Sequence, residues 1–140
     1  MARAKKTTQK TKEFISTIGR RKRSVARIRL YHGKGKHIVN DRPIVDYFKD
    51  IPAACYLRPF ELTDTVGKYY ITAKIEGGGK SGQVGAFIHG LSRALVKENT
   101  EKYRKALKTA GFLMRDPREK ERRKYSNAQK ARARKQSPKR

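Results

Sequence analysis

The last 26 residues of the chain limit most strongly what the sequence can fold into. Residues 115–140 contain twelve Lys or Arg against three acids, and their few apolar residues are too scattered to form a core face. A segment this basic repels itself and has nothing to bury, so it does not pack into a domain of its own. A polyanion would neutralise it, and RNA or DNA is the obvious candidate.

The charge of the remaining chain is also unevenly distributed. The 140 residues carry a net charge of +25, of which +10 lies in residues 1–29 and only +6 in residues 30–114. The middle holds nearly all of the aliphatic and aromatic residues. We therefore predict three parts: a disordered basic extension at 1–12, a globular domain at 13–113 and an extended basic tail at 114–140. The globular part is large enough to bury roughly 65% of its chain surface.

Several classes of site are not expected from the composition. The single cysteine, Cys55, cannot form an internal disulfide, and the three histidines lack the spacing of metal ligands. Cys55 is predicted to be a small buried apolar residue, as free cysteines usually are. No apolar run approaches the ~20 residues of a membrane span. We expect a reducing, cytoplasmic location, with no metal, cofactor, membrane or small-molecule partner.

Two strands are predicted from alternating residues. In residues 24–31 one face is neutral or apolar and the other carries Arg27 and Arg29. Residues 33–35 then read as a hairpin turn that leads to a return strand at 36–40. Residues 68–76 alternate most regularly, which predicts a central strand.

Two short helices are expected before that central strand. Asp41 is predicted to cap the first, with Pro43 just inside it and Val45 and Phe48 buried. The second is predicted at 53–58, where Pro59 follows and would stop it.

A long helix is predicted at 81–98 with Ser81 as its N-cap. Its apolar stripe consists of Val84, Phe87, Ile88, Leu91 and Leu95. The opposite face consists of Gly82, Ala86, His89, Arg93 and Lys97. Gly85 and Gly90 each cost about 1 kcal/mol relative to alanine in a helix, which predicts the close approach of another backbone. A last helix is predicted at 101–110, ended by Gly111.

The glycine-rich segment before the long helix has three interpretations. Gly79-Lys80-Ser81 is similar to the end of a nucleotide-binding loop, but that pattern requires glycine at position 74, where this chain has Lys74. The segment could also be a purely geometric turn. We favour a site for an RNA backbone phosphate, because free N–H groups at a helix start lie beside Lys80.

The basic run at residues 20–23 is ambiguous alone, because charged strand edges also prevent aggregation. Arg27 and Arg29 extend the run along one strand face, and together they favour nucleic-acid contact. Five tyrosines are able to stack on bases: Tyr31, Tyr69, Tyr70, Tyr103 and Tyr125. Of these, Tyr69 and Tyr103 are expected in the core. No carboxylate pair or Ser/His/Asp arrangement indicates an enzyme.

Three segments of the chain, taken together, resemble one protein family. They are GRRKRSVAR at 19–27; GGGKSGQVGA at 77–86, continuing to Arg93-Ala94-Leu95; and AGFLMRDPR at 110–118, continuing through ERRKY at 121–125 and Ala131-Arg132 to Lys139-Arg140. Their order and spacing are similar to those of bacterial small-subunit ribosomal protein nine, also called universal small-subunit nine.

The resemblance implies a fold and a function. The fold is a two-layer α+β domain, with a four-stranded sheet backed by helices, a left-handed βαβ crossover and a long extended basic tail. The function is a structural, non-catalytic role in the head of the small ribosomal subunit, bound to its ribosomal RNA and next to other small-subunit proteins. Lys139 and Arg140 match the family's terminal pair, which contacts peptidyl-site tRNA. Ser137 and Pro138 stand where the family has an aromatic residue and a serine.

The residues predicted to bind ribosomal RNA come from the basic run, the strand that follows it, the glycine-rich segment, the long helix and the tail. They are Arg20, Arg21, Lys22, Arg23, Arg27, Arg29, Lys34, Lys36, Lys80, Ser81, Gly82, Gln83, His89, Arg93, Lys97, Arg115, Arg118, Arg122, Arg123, Lys124, Lys130, Arg132, Arg134 and Lys135. Two other classes remain open from the residues alone: a small nucleotide-dependent enzyme, and a free RNA chaperone or DNA-compacting protein.

Overall fold

The computed structural model describes residues 13–125, 127 and 130–132, in which a mixed sheet packs against helices. The elements in chain order are β1 (Ile15–Arg21), β2 (Ser24–His32), β3 (Ile38–Val39), β4 (Arg42–Pro43), α1 (Ile44–Tyr47), α2 (Ala53–Leu62), β5 (Tyr69–Glu76), α3 (Lys80–Glu98) and α4 (Thr100–Thr109). The sheet order is β1-β2-β5-β3-β4. The α+β class is confirmed, although the two-residue strand β4 brings the strand number to five rather than four. The disorder predicted for residues 1–12 and the path of residues 133–140 lie outside the described residues.

The first strand is not among the elements predicted from the sequence. β1 pairs antiparallel with β2, from Ile15 opposite Leu30 to Arg21 opposite Ser24. The turn between them consists of Lys22 and Arg23, and Lys22 adopts a positive φ of 50°. The basic run at 20–23 is therefore the end of one strand and the tip of a hairpin.

The hairpin predicted at residues 33–35 is wrong. β2 is already paired on both sides, with β1 and with β5, so the chain after Gly33 cannot return beside it. Instead β3 lies on the far side of β5 and pairs with it in parallel. The connection from β3 to β5 runs through β4, α1 and α2, and the left hand expected for it stays a prediction.

The alternation in β2 and β5 is confirmed. Their inward residues are buried beneath α3: Ala26, Ile28, Leu30, Ile71, Ala73 and Ile75. β5 is the middle strand of the five, as predicted. Among the described residues no helix covers the other face, so the fold has two layers and leaves Arg27, Arg29 and Lys74 exposed.

The predictions for the two short helices need correction. Asn40 and Asp41 both have positive φ, 47° and 63°, and form the tight turn between β3 and β4, so Asp41 caps no helix. α1 begins only at Ile44, which is buried, whereas Val45 is 62% exposed. Phe48 is buried as predicted.

Pro59 does not stop α2. The helix continues to Leu62, because Tyr56, Pro59 and Phe60 share one face and are all buried in the core. That burial offsets the hydrogen bond that proline cannot donate. Cys55 lies on the exposed side of the helix, so its predicted burial is wrong.

The long helix α3 crosses β1 at very close range. An ideal Cβ on Gly19 would lie 2.0 Å from the carbonyl oxygen of Ala86 and 2.3 Å from the nitrogen of Gly90. This confirms the predicted approach of another backbone, which belongs to the protein itself. It also means that Gly82, Ala86 and Gly90 are buried against the hairpin, so the face opposite the apolar stripe is covered in its first half.

Of the two boundaries that capping residues predict for α3 and α4, the start of α3 is wrong and the end of α4 is confirmed. α3 starts after Gly79, and Ser81 is exposed and caps nothing. Gly111 ends α4 as predicted: its φ is 75°, its N–H donates to Lys108 O, and the N–H of Phe112 donates to Leu107 O.

Candidate nucleic-acid interface

A groove runs between β1 and the C-terminal half of α3. It has a volume of about 890 Å³ and is bordered by parts of α4 and of the tail. Its lining residues are Ser16, Thr17, Ile18, Arg20, His89, Arg93, Val96, Lys97, Thr100, Arg104, Leu113 and Arg115. The described residues that line it include four arginines and one lysine but no carboxylate. Their arrangement is therefore suited to an anion, not a cation.

Side chains of α3 cover the free edge of β1. The Arg20 N–H donates to Nδ1 of His89 at 3.2 Å, and the Arg93 guanidinium donates to the carbonyl oxygen of Ile18. Thr17 Oγ1 donates to Gly90 O at 2.8 Å. The bonds to the Arg20 N–H and the Ile18 carbonyl take the place of a further strand. They also hold His89 and Arg93 against β1, which fixes the polar side of the groove.

The charge state of His89 follows from this position. Burial lowers the pKa of His89 below its ordinary value of 6.5, and the neighbouring Arg93 and Arg115 lower it further. A neutral imidazole can accept from the Arg20 N–H, whereas a protonated one cannot. The positive charge of the groove at neutral pH therefore comes from its arginines and Lys97.

The groove combines predicted residues with one that the sequence analysis does not identify. Arg20, His89, Arg93, Lys97 and Arg115, from three separate segments, are brought together as lining residues. Arg104 was not predicted, because its place follows from the packing of α4 beside α3. The helical spacing of Thr100 and Arg104, four residues apart, was the available signal.

A second basic surface lies on the uncovered face of the sheet. Arg27 and Arg29 are exposed there as predicted, and Lys74 on β5 stands beside them. Glu76 accepts weakly from Arg27 at 3.5 Å and lies 3.7 Å from Lys74 Nζ. The predicted Lys34 and Lys36 are exposed in the loop that leaves β2.

The glycine-rich segment is tied to α1. Lys80 Nζ donates to Tyr47 O at 2.9 Å and lies 4.0 Å from the centre of the Tyr47 ring. Tyr47 in turn donates to Gln83 Oε1 at 3.0 Å, and Gln83 Nε2 donates to Gly77 O at 3.2 Å.

Gly82 is buried against the hydroxyl of Ser24, since an added Cβ would meet that oxygen at 2.8 Å. Its contact with RNA stays a prediction, and the side of α3 that it occupies is packed against the hairpin. Lys22 at the hairpin tip and Ser81 are exposed, and a phosphate at this helix start stays a prediction.

The first part of the tail is fixed to the hairpin by ion pairs. Arg21 Nη2 lies 3.1 Å from Asp116 Oδ2, and Arg23 Nε lies 2.9 Å from Glu119 Oε1. Asp116 also accepts from Arg118 at 2.8 Å. Arg118 and, more weakly, Arg21 hold the pKa of Asp116 far below its usual range. We call Arg21, Arg23, Asp116, Arg118 and Glu119 the tail clamp.

Gly85 of α3 leaves room for the Arg21 side chain of the tail clamp. A Cβ on Gly85 would lie 2.1 Å from Cδ of Arg21, so the arginine lies over α3 on its way to Asp116. Glycine is needed at position 90 because Gly90 packs closely on Gly19, and at position 85 because Arg21 lies over it. The partner of Gly85 is a side chain, not a second backbone.

The other predicted tail residues divide into three groups. Arg132 pairs with Glu121, which lowers the pKa of that carboxyl. Arg122, Arg123, Lys124 and Lys130 are exposed. Arg134, Lys135, Lys139 and Arg140 lie outside the described residues.

Two features of the described residues bear on the class of site. Within residues 13–125, 127 and 130–132, no group of three or more His, Cys, Asp or Glu could hold a metal ion. In the same part of the chain, none of the helices has the length and apolar character needed to cross a membrane.

Comparison with known families gives a match over most of the sequence. The family model described as "Ribosomal protein S9/S16" matches residues 19–140. The match begins at the glycine where α3 crosses β1 and includes the groove residues of α3 and α4 and the whole tail. The chain therefore belongs to the ribosomal protein S9/S16 family of structural proteins of the small ribosomal subunit.

Proposed function

We propose that this protein binds small-subunit ribosomal RNA in the head of the subunit and that its tail reaches peptidyl-site tRNA. It acts on the ribosome in the cytoplasm, beside other small-subunit proteins, and catalyses no reaction. The groove between β1 and α3 is the observation that carries the proposal, because five cations and no carboxylate line its described part.

The groove is built to hold phosphates in place. Arg20, Arg93 and Arg104 each offer a planar fork of donors that matches a phosphate, and Lys97 adds a compact charge. Each phosphate that these groups neutralise releases counterions, which makes the binding strongly dependent on salt. Such contacts position a protein on RNA without reading its sequence.

The tail extends this contact beyond the domain. Its first part is held at the hairpin by the tail clamp, next to Arg115 at the end of the groove. Lys139 and Arg140, whose match to the family supplies the tRNA partner, lie outside the described residues. Their charges are suited to the phosphates of a tRNA stem-loop.

The groove is tested by the salt dependence of RNA binding. The ligand is a transcript of the head portion of small-subunit ribosomal RNA, and the variant is Lys97→Gln with Arg104→Gln. If each side chain meets one phosphate, the log–log slope should fall by about 0.7–0.9 for every phosphate that is no longer neutralised. Arg58→Gln on α2 is the matched control, because Arg58 does not line the groove. Equal slopes for the double variant and the wild type would refute the groove as the interface.

The tRNA contact needs a separate test. Reconstituted subunits that carry the protein without Lys139 and Arg140 should release peptidyl-site tRNA faster at low salt. The effect should be moderate, because each charge-assisted contact contributes about 1.5–3 kcal/mol at most. Equal release rates would contradict the proposed tRNA contact and leave the groove proposal untouched.

A further inference from the structure

The uncovered face of the sheet is organised in rows across β1, β2 and β5. The strand register places Ser16, Arg29 and Thr72 in one row, and Ile18, Arg27 and Lys74 in the next. Such rows lie about 7 Å apart, since alternate residues share a face. At one end of these polar and basic rows stands a row of aromatic rings.

The aromatic row consists of Tyr70, Tyr31 and Phe14, whose rings pack one against the next in a pile, and the Phe14 end of the pile is exposed. Tyr31 and Tyr70 stand directly opposite each other and stack at 5.0 Å between ring centres, with 9° between their planes. The backbone at Gly35 covers Tyr70 so closely that an added Cβ would lie 2.6 Å from its ring. Phe14 packs on Tyr31 at 5.6 Å and is 46% exposed, so the pile ends in this ring.

The charges next to the open end are positive. The Arg29 guanidinium carbon lies over the Phe14 ring, 5.1 Å from its centre, and Arg27 follows on the same face of β2. A shallow groove of about 610 Å³ continues from them between β2, β5 and β3. Its acids, Asp41 and Glu76, stand at its far side, and Glu76 already faces Arg27 and Lys74.

We propose that Phe14 is a stacking platform for one unpaired RNA base, whose neighbouring phosphates are held by Arg29 and Arg27. Bases stack on exposed aromatic rings whatever their identity, and a guanidinium over the ring adds a cation–π contact. The base would stack on the part of the Phe14 ring that Arg29 leaves exposed. A base inside a duplex has both faces covered and cannot use the platform. The inference rests on the proposed function for RNA as the partner, and adds that the partner presents an unpaired nucleotide here.

The experiment compares two RNA probes of the same sequence, one single-stranded and one duplex, both carrying a fluorescent adenine analogue. The full-length protein is tested as wild type, Phe14→Leu and Phe14→Trp. Leucine keeps the apolar bulk without a ring, and tryptophan restores a ring. Val45→Ala is the control for an exposed apolar side chain, because Val45 is 62% exposed and lies on α1, away from the aromatic row.

The expected result is a selective loss. Phe14→Leu should weaken single-stranded binding by about tenfold and abolish quenching of the stacked analogue, whereas Phe14→Trp should retain both. Duplex binding should be unchanged in both variants. Equal single-stranded affinity and quenching for Phe14→Leu and wild type would overturn the proposal.

Three further outcomes separate the stacking site from the proposed function. A similar loss on duplex and single-stranded RNA would also overturn the platform, since it would show that Phe14 acts through the fold. If wild type binds neither probe, nor the head transcript, the proposed function itself fails. Loss of binding in the Lys97/Arg104 double variant, with none in Phe14→Leu, would reject only the platform.

Discussion

Replacing Gly19 with alanine tests the close crossing on which both the fold and the groove depend. The new Cβ would lie 2.0 Å from the carbonyl oxygen of Ala86 and 2.3 Å from the nitrogen of Gly90. Both atoms belong to the backbone of α3, so no side chain can rotate away to relieve the overlap. The helix must instead move off β1.

The size of the effect follows from two opposing contributions. Overpacking a close contact costs about 1–3 kcal/mol and occasionally more, and backbone overlap this short belongs at the upper end. Alanine also restricts the unfolded chain, which stabilises by about 0.4–1 kcal/mol. We expect Gly19→Ala to lower the free energy of unfolding by about 2 kcal/mol or more. Movement of α3 should also separate Arg93 from Ile18 and weaken RNA binding.

Urea unfolding followed by circular dichroism measures the change. Gly79→Ala is the matched control: its φ is −108°, and an added Cβ meets nothing within 4 Å. Because Gly79 is the N-cap of α3, the control should cost no more than about 1 kcal/mol. If the two variants unfold at the same urea concentration, the close crossing of α3 and β1 does not exist in solution.

Three other changes give independent checks. Arg93→Glu should reduce affinity for the head transcript strongly. Its cost in stability should be about 1.5 kcal/mol at most, because its charge-assisted bond to Ile18 O is exposed to solvent. A melt that collapses while RNA binding survives would show a structural role instead. Asp116→Asn should leave the melting temperature unchanged but speed trypsin cleavage after Arg118, because the pairs with Arg21 and Arg118 lose their charge; unchanged cleavage would contradict the tail clamp. The folded-state pKa of His89 lies below 6.5, so its contribution to stability is present above about pH 6.5 and is lost as pH falls through the folded pKa. Between pH 7.5 and 5.5, the urea midpoint of His89→Gln should therefore fall less than that of the wild type. An equal fall would show that His89 is not held neutral.

The parts of the fold that were predictable are those whose apolar residues repeat. β2 and β5 alternate along nearly their whole length, and α3 has a regular stripe, because each packs on the core with large side chains. β1 shows no such signal, since two of its inward positions, Gly19 and Arg21, face glycines of α3. A strand whose inward positions hold a glycine and an arginine shows no hydrophobic alternation.

The wrong predictions of turns and helix ends have a common cause. Each was made from the preference of a single residue, whereas the observed structure depends on its packing against distant parts of the chain. Gly33 is typical of a turn between neighbouring strands, but the neighbour of β2 comes from residues 69–76. Pro59 is typical of a helix end, but its burial beside Phe60 outweighs one missing hydrogen bond. The charges of the site were identified from sequence, whereas their division between groove, sheet face and tail clamp depends on long-range contacts.

The acids of the tail all lie at its beginning. Asp116, Glu119 and Glu121 all fall in the first seven residues after position 114, and each pairs with an arginine. Residues 122–140 then contain nine Lys or Arg and no acid. A carboxylate beyond that point would repel phosphates, while one near the domain can fasten the tail to the hairpin. Asp116 and Glu119 therefore set where the tail leaves the domain. Under the proposed function, the bases that follow Glu121 are left to meet RNA.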